Sequence, residues 1–258
     1  MAFKSVGGHF AKFNSAASGK FLYDYTNFVT SDLETKASAI PHKTFAPSGM
    51  RCDRRSWFRL RGVEPDAYRA PDLALNFTAE IGTACHRIIQ SNLIQLLRDD
   101  WISVPKYLKS IDFPYEYSLE TSGDGLETKI CIVDPPINFA CDGIVRYQGG
   151  YYLLEIKTSE FNSWQDMMNP KSEHIDQVLC YATLLQLEHI LMMYQDRQYG
   201  GIKCYELKVA PSQRQGVLDK INRVMEAVRT NIAPDGLPKG DKWCQPSMCP
   251  YYNKCKEY

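Results

Sequence analysis

The sequence predicts an α/β or α+β core in which a hairpin-rich central sheet is flanked by helices. Three observations carry this. Residues 77–99 repeat apolar side chains at helical spacing; residues 113–157 hold strand-like runs punctuated by turn signals; helical periodicity returns from residue 172.

Taken in order, residues 1–45 are weakly patterned and predict partial helix. In "FTAEIGTACHRIIQSNLIQLLRD", Ile81, Cys85, Ile88, Ile89, Leu93, Leu96 and Leu97 fall on one helical stripe. "FPYEYSL", then "LETKICIV" after an "SGDG" turn, then "NFACDGIVRY" predict strands. Gly149-Gly150 separates the last of these from "YYLLEIK" and predicts a hairpin. Residues 172–191 predict a helix, "GIKCYELKV" a strand and residues 212–230 a final helix. "APDGLPKG" predicts a loop into a cysteine-rich tail. There is no internal repeat and no low-complexity segment.

With 258 residues, 44% of them hydrophobic, the chain can bury one large core with a modest appendage. The expected division is an N-terminal segment, 1–47, and a main domain, 48–258. No apolar run approaches the ~18 residues of a membrane span, and the N-terminus lacks the apolar core of a secretory signal. The expectation is a cytoplasmic protein (host cytoplasm if viral) without a membrane partner. Net charge is zero, which excludes a uniformly basic nucleic-acid binder but not a local patch. "RCDRRSWFRLR" is such a patch, with Arg51, Arg54, Arg55, Arg59 and Arg61; a solvated helix face reads equally well. Nine cysteines, an odd number without a secretion signal, argue against a disulfide framework. Cys85, Cys131, Cys141, Cys180 and Cys204 sit in apolar periodic segments and read as small core hydrophobes. Cys52, Cys244, Cys249 and Cys255 sit among charged, polar and aromatic residues.

Glu155 and Lys157 interrupt an apolar run. Two residues apart on a strand, they share a face. The hairpin sets Asp142 near the level of Lys157 and within reach of Glu155. Two hard carboxylates suit Mg²⁺ or Mn²⁺, and a protonated lysine beside them can orient an attacking water or stabilise charge on phosphorus. The alternative is a plain ion-pair cluster at a sheet edge. His86, four residues after Gly82, flanks the helical stripe; alone it reads as a hydrogen-bonded core histidine. Gln177 and Tyr181, also four apart, share a helix face.

The set "GTACH" (82–86), Asp142-Gly143, "EIK" (155–157) and "QVLCY" (177–181) resembles the RecB-like branch of the PD-(D/E)XK nuclease superfamily. That pattern runs Gly-x-x-x-His, Asp, (Asp/Glu)-x-Lys, Gln-x-x-x-Tyr. The resemblance implies a restriction-endonuclease-like core with a central mixed sheet. It implies His86, Asp142, Glu155 and the Ile156 carbonyl as ligands of the catalytic metal and Lys157 as the catalytic lysine. Gln177 and Tyr181 would position the scissile strand. Cys141 stands where the pattern's proline would precede Asp142.

One cysteine upstream of these motifs and three downstream resemble the iron–sulfur subgroup of these nucleases, which includes CRISPR-associated adaptation exonucleases. The resemblance implies that Cys52, Cys244, Cys249 and Cys255 hold a [4Fe–4S] cluster that staples the N- and C-terminal segments together. The spacing from Cys244 to Cys249 is longer than the pattern's. Structural Zn²⁺ or free thiols are the alternatives. The staple would bring Arg51, Arg54 and Arg55 near the core, where they could contact phosphates.

The function these readings predict is an Mg²⁺- or Mn²⁺-dependent deoxyribonuclease, an exonuclease preferring single strands or free ends, in recombination, repair or CRISPR adaptation. No Gly-x-x-x-x-Gly-Lys-(Ser/Thr) motif is present, so unwinding would need a helicase partner; an integrase-type partner is also compatible. The alternatives are a catalytically silent DNA-end-binding or partner-recruiting protein on the same fold, and a redox-sensing module.

Overall fold

Residues 16–37, 43–66, 73–238 and 240–258 are described in a computed structural model. Parts of the N-terminal segment (1–15 and 38–42) and Lys239 of the loop before the tail lie outside them. The chain divides into two compact units, 1–40 with 68–79 and 41–67 with 80–258. In the first, α1 covers Ala16–Ala37, which accounts for the partial helix expected there.

The second unit is a mixed α/β fold, a central mixed sheet flanked by helices. Helices α2 (Asp53–Leu60), α3 (Leu73–Leu97, entering this unit at Glu80), α4 (Val104–Ser110), α5 (Phe161–Gln165), α6 (Ser172–Leu184) and α7 (Pro211–Thr230) accompany eight strands. These are β1 (Trp101–Ile102), β2 (Tyr117–Thr121), β3 (Thr128–Ile132), β4 (Ile137–Cys141), β5 (Gly143–Tyr147), β6 (Gly150–Ser159), β7 (His189–Asp196) and β8 (Ile202–Lys208). The central sheet runs β1-β5-β6-β7-β8, with β6 and β7 parallel and the other pairs antiparallel. A second antiparallel sheet runs β2-β3-β4.

β6 sits at the centre, and its two faces pack differently. Tyr152, Leu154 and Ile156 join Val145 against Ile89, Leu93 and Leu97 of α3. Leu153 joins the main core with Val178, Cys180 and Leu184 of α6. Burial of both faces explains the apolar run Tyr152–Leu154 in this strand. The β5–β6 hairpin turns on Gln148 and Gly149, both at positive φ (47° and 84°), with Tyr147 paired to Gly150. The turn is thus one residue earlier than the Gly-Gly pair indicates, because Gln148 takes the first left-handed position.

Three expectations need correction. "NFACDGIVRY" is not one strand: the chain leaves the small sheet at Cys141 and enters the central sheet at Gly143, with Asp142 unpaired between them. The helix expected over 172–191 ends at Leu184, and His189–Asp196 form the parallel strand β7. Gln186 adopts a left-handed φ of 57°, while the Leu187 and Gln186 N–H groups donate to the Ala182 and Thr183 carbonyls. This Schellman closure carries glutamine where glycine usually announces it. Of the five cysteines assigned to the core, only Cys141 and Cys180 are buried; Cys85 and Cys131 are partly exposed, and Cys204 is exposed on the edge strand β8.

Helix α2 packs against α7 and the C-terminal tail. Trp57 and Phe58 are buried with Ala227 of α7 and Tyr251 of the tail. The Trp57 indole N–H donates to the Ala227 carbonyl at 3.0 Å, and Phe58 stacks on Tyr251. Arg54 donates to the carbonyls of Pro234 and Cys255.

Candidate active site

The break at Asp142 creates the site. The last β5–β6 pair is Gly143 with Leu154, so Asp142 stands level with Glu155, not with Lys157 as the turn position had indicated. Beyond that pair β6 has no β5 partner, and the Asp142 carboxylate takes over: Oδ2 accepts from the Ile156 N–H at 2.6 Å. The N–H and C=O of one strand residue point to the same side, so the Ile156 carbonyl also faces the Asp142 edge. Gly143 leaves room for this corner, since a Cβ there would lie 2.7 Å from the Trp101 ring.

α3 reaches the corner from one face of the sheet. His86 Nδ1 lies 3.0 Å from Asp142 Oδ1, and Gln90, one turn on, donates to the Asp142 carbonyl at 2.8 Å. A Cβ at Gly82 would lie 3.4 Å from Thr158 Oγ1, an ordinary contact that places this turn of the helix against the end of β6. α6 supplies the other face. Lys157 Nζ donates to Glu155 Oε1 at 2.6 Å and to Gln177 Oε1 at 3.0 Å, and Gln177 Nε2 donates to the Tyr181 hydroxyl at 2.7 Å. Phe139 of β4 stacks on the Tyr181 ring. His86, Asp142, Glu155, Gln177 and Tyr181 line one open cavity with Glu127, Lys129, Asn138 and Phe139 from the small sheet.

Glu155 is only 3% exposed, and its Oε2 has no hydrogen-bond partner among the described residues. Burial and the neighbouring Asp142 charge push its carboxyl up to about 7, against the pull of Lys157. Burial opposes protonation of His86, yet its hydrogen bond to Asp142, with the Asp142 and Glu155 charges, holds it above its ordinary value. Burial raises the Tyr181 phenol well above its usual range.

The sequence-derived residues thus fall in two places. His86, Asp142, Glu155, Ile156, Lys157, Gln177 and Tyr181 meet at one corner. Cys52, Cys244, Cys249 and Cys255 line a separate cavity with Arg51 and Arg55. Burial raises the thiols of Cys244 and Cys249, and the charges of Cys52 and Cys255 add to both shifts. Arg51 pairs with Asp176 at 3.2 Å and lies over the Trp243 ring; Arg54 donates to Cys255 Sγ at 3.6 Å. Among the described residues no group of three or more His, Cys, Asp or Glu is set around a common ion position. At the corner three of the four carboxylate oxygens are instead taken up by His86, the Ile156 N–H and Lys157, and Glu155 Oε2 is left over among the described residues. Gln90 is the site residue that motif reading misses. Its signal was a polar side chain four residues after His86 and directly after Ile88 and Ile89 of the apolar stripe; it is 4% exposed.

Fold and site together define a mixed α/β protein with a carboxylate–lysine centre where its central sheet opens. No family model and no curated protein matches the chain. Solved structures similar to it include SSO0001, at TM-score 0.46 and 18% identity over 88% of this chain and 93% of that one. LHK-Exo in complex with dAMP matches at TM-score 0.45 and 13% identity, over 77% of this chain and 94% of that one. LHK-Exo of Laribacter hongkongensis, described as an alkaline exonuclease, also matches at TM-score 0.37 and 14% identity, over the same shares. No helix of the described residues is long and apolar enough to cross a membrane.

Proposed function

We propose that this protein is a divalent-metal-dependent DNA nuclease, an exonuclease that prefers single strands. The observation that carries the reading is Glu155 Oε2: a buried carboxylate oxygen without a partner, beside a second carboxylate. A buried anion in that setting is costly unless a cation joins it. His86, Asp142, Glu155 and the Ile156 carbonyl form a hard N/O donor set that fits Mg²⁺ or Mn²⁺. A cation bound there supplies Lewis-acid activation of the phosphate and of the attacking water.

The chain's own residues do the rest. Lys157 uses two of its three N–H donors on Glu155 and Gln177, which leaves one for the attacking water or a phosphate oxygen. Gln177 is held from both sides, its amide oxygen by Lys157 and its amide nitrogen by Tyr181, so the lysine's position is fixed. The Tyr181 phenol keeps its proton and can donate it to the DNA backbone. His86 and Gln90 hold Asp142 in place.

A second group is proposed at the four-cysteine cavity. Four sulfurs with Arg51 and Arg55 in the wall suit an anionic thiolate-ligated centre, and we assign it a [4Fe–4S] cluster, with Zn²⁺ as the alternative. Such a centre would reinforce the aromatic and hydrogen-bonded tie between the α2 segment and the tail. Arg51, Arg54 and Arg55 stabilise that region in this reading, and Arg55 is the one we assign to phosphate contact. Helicase- or integrase-type partners belong to the same proposal.

The test is digestion of end-labelled single-stranded and duplex DNA with Mn²⁺ by anaerobically purified protein. Wild type should cut, Glu155→Ala should not, and the label should report polarity. A folded wild type that cuts nothing, or an equally active variant, would sink catalysis and favour a DNA-end-binding protein.

A further inference from the structure

Past the site, β6 and β7 end side by side, with Ser159 paired to Asp196. The chain leaves β6 through Glu160 and Phe161 and leaves β7 through Arg197 and Gln198. The two exits are tied by the Arg197 N–H donating to the Ser159 carbonyl at 3.0 Å. Between them lies a cavity lined by Glu160, Phe161, Asn162, Arg197 and Gln198. We infer that this cavity is a subsite for a base of single-stranded DNA, held on the same strand end as Glu155 and Lys157.

Its chemistry selects a base. The Phe161 ring stacks on Trp164 at 6.3 Å and meets Tyr199, 70% exposed, edge to face at 4.8 Å, so together they form an aromatic platform for a base. Asn162 offers an amide that matches a base edge, Gln198 offers its amide oxygen while its Nε2 donates to the Tyr199 hydroxyl at 3.0 Å, and Glu160 can accept from an exocyclic amine. A carboxylate in the wall disfavours a bare phosphate. Arg197 has no ion-pair partner among the described residues and can neutralise the phosphate of the bound nucleotide.

The cavity is also stiffened from behind. Buried Asp196 accepts from the N–H groups of Gln198 and Tyr199 at 2.9 and 2.7 Å, which fixes that loop. Lys203 lies over the Trp164 ring and donates to the carbonyls of Trp164, Gln165 and Met167. Gly201 makes room for that ring: a Cβ would sit 2.7 Å from it. Phe161 therefore sits on an anchored short helix. From Glu155 to Ser159 the strand advances ~13 Å, a span of a few nucleotides. The subsite rests on the nuclease reading for its role in feeding a strand to Glu155, but its binding can be measured without cleavage.

The experiment is fluorescence anisotropy of a labelled single-stranded oligonucleotide in EDTA, beside the same strand with consecutive abasic sites. Phe161→Leu and Arg197→Gln should each bind the intact strand about tenfold more weakly. Phe161→Tyr should bind like wild type. Phe161→Leu should not weaken binding of the abasic strand, whereas Arg197→Gln should weaken both. Should Phe161→Leu lose stability, the wild-type difference between intact and abasic strands, together with Arg197→Gln, carries the test. Wild-type affinity in both variants overturns the subsite, as does equal wild-type affinity for intact and abasic strands, whatever the cleavage assay shows. Base-dependent binding lost in Phe161→Leu, in a wild type that never cuts DNA, would keep the subsite and remove the nuclease.

Discussion

Replacing Glu155 with glutamine should stabilise the metal-free protein. The wild-type carboxylate is buried, leaves Oε2 unpartnered and sits beside the Asp142 charge. Burial and Asp142 outweigh the attraction of Lys157, so the site resists the negative charge and the carboxyl rises to about 7. Glutamine keeps the shape, still offers Lys157 an oxygen and removes the charge. Relief of one buried unsatisfied charged oxygen predicts a gain of about 1–3 kcal/mol at pH 8. The sign follows from linkage: a carboxyl raised in the fold favours folding when protonated and costs stability as pH rises from its unfolded value through about 7. The gain should therefore shrink toward pH 5. Urea denaturation of both proteins in EDTA at pH 5 and 8 measures this. Adding Mn²⁺ should reverse the order, since wild type would gain about 2.7 kcal/mol at a hundredfold excess over its dissociation constant and the variant less. A variant less stable than wild type in EDTA at pH 8, or equally stabilised at both pH values, would refute the account of Glu155 as a strained, cation-seeking group.

Three further outcomes are expected. Gly143→Ala should cost about 1–3 kcal/mol in chemical denaturation, because the new methyl drives into the Trp101 ring and displaces the corner that carries Asp142. Lys157→Met should lower single-turnover cleavage by about 10²–10⁴-fold while oligonucleotide affinity in EDTA stays within a few-fold of wild type. Burial, with Lys157 nearby, holds His174 down at about 4, so protonation favours the unfolded chain; stability should fall as pH drops from 6.5 toward 4, and His174→Gln should flatten that part of the pH–stability curve.

The motif residues other than Asp142 were legible because each sits on an element whose periodicity is plain. Gly82 and His86 lie on an amphipathic helix, Glu155 and Lys157 on a strand, and Gln177 and Tyr181 on a second helix. The end of α7 shows why some boundaries read well and others do not. There Asn231 takes the left-handed position at φ 59°, and a loop-rich sequence follows. At the end of α6 the same closure uses Gln186 and runs into an apolar segment that suits helix and strand alike. β7, the parallel neighbour of β6, was hidden for that reason. The N-terminal cysteine and the tail were linked only by resemblance. Contacts in the fold now tie their surroundings together through Trp57, Phe58 and Tyr251.

By itself the sequence determined which side chains could do chemistry and which local elements carry them, since periods of two and 3.6 are properties of neighbouring residues. Only the tertiary structure decided that the chain changes sheets at Asp142. That exchange depends on which distant strands offer partners: β3 to Cys141 on one side, β6 to Gly143 on the other. It also decided that Gln90 steadies Asp142 and that one oxygen of Glu155 is left without a partner among the described residues. Burial and hydrogen-bond satisfaction are sums over the whole fold, and no local stretch of sequence contains them.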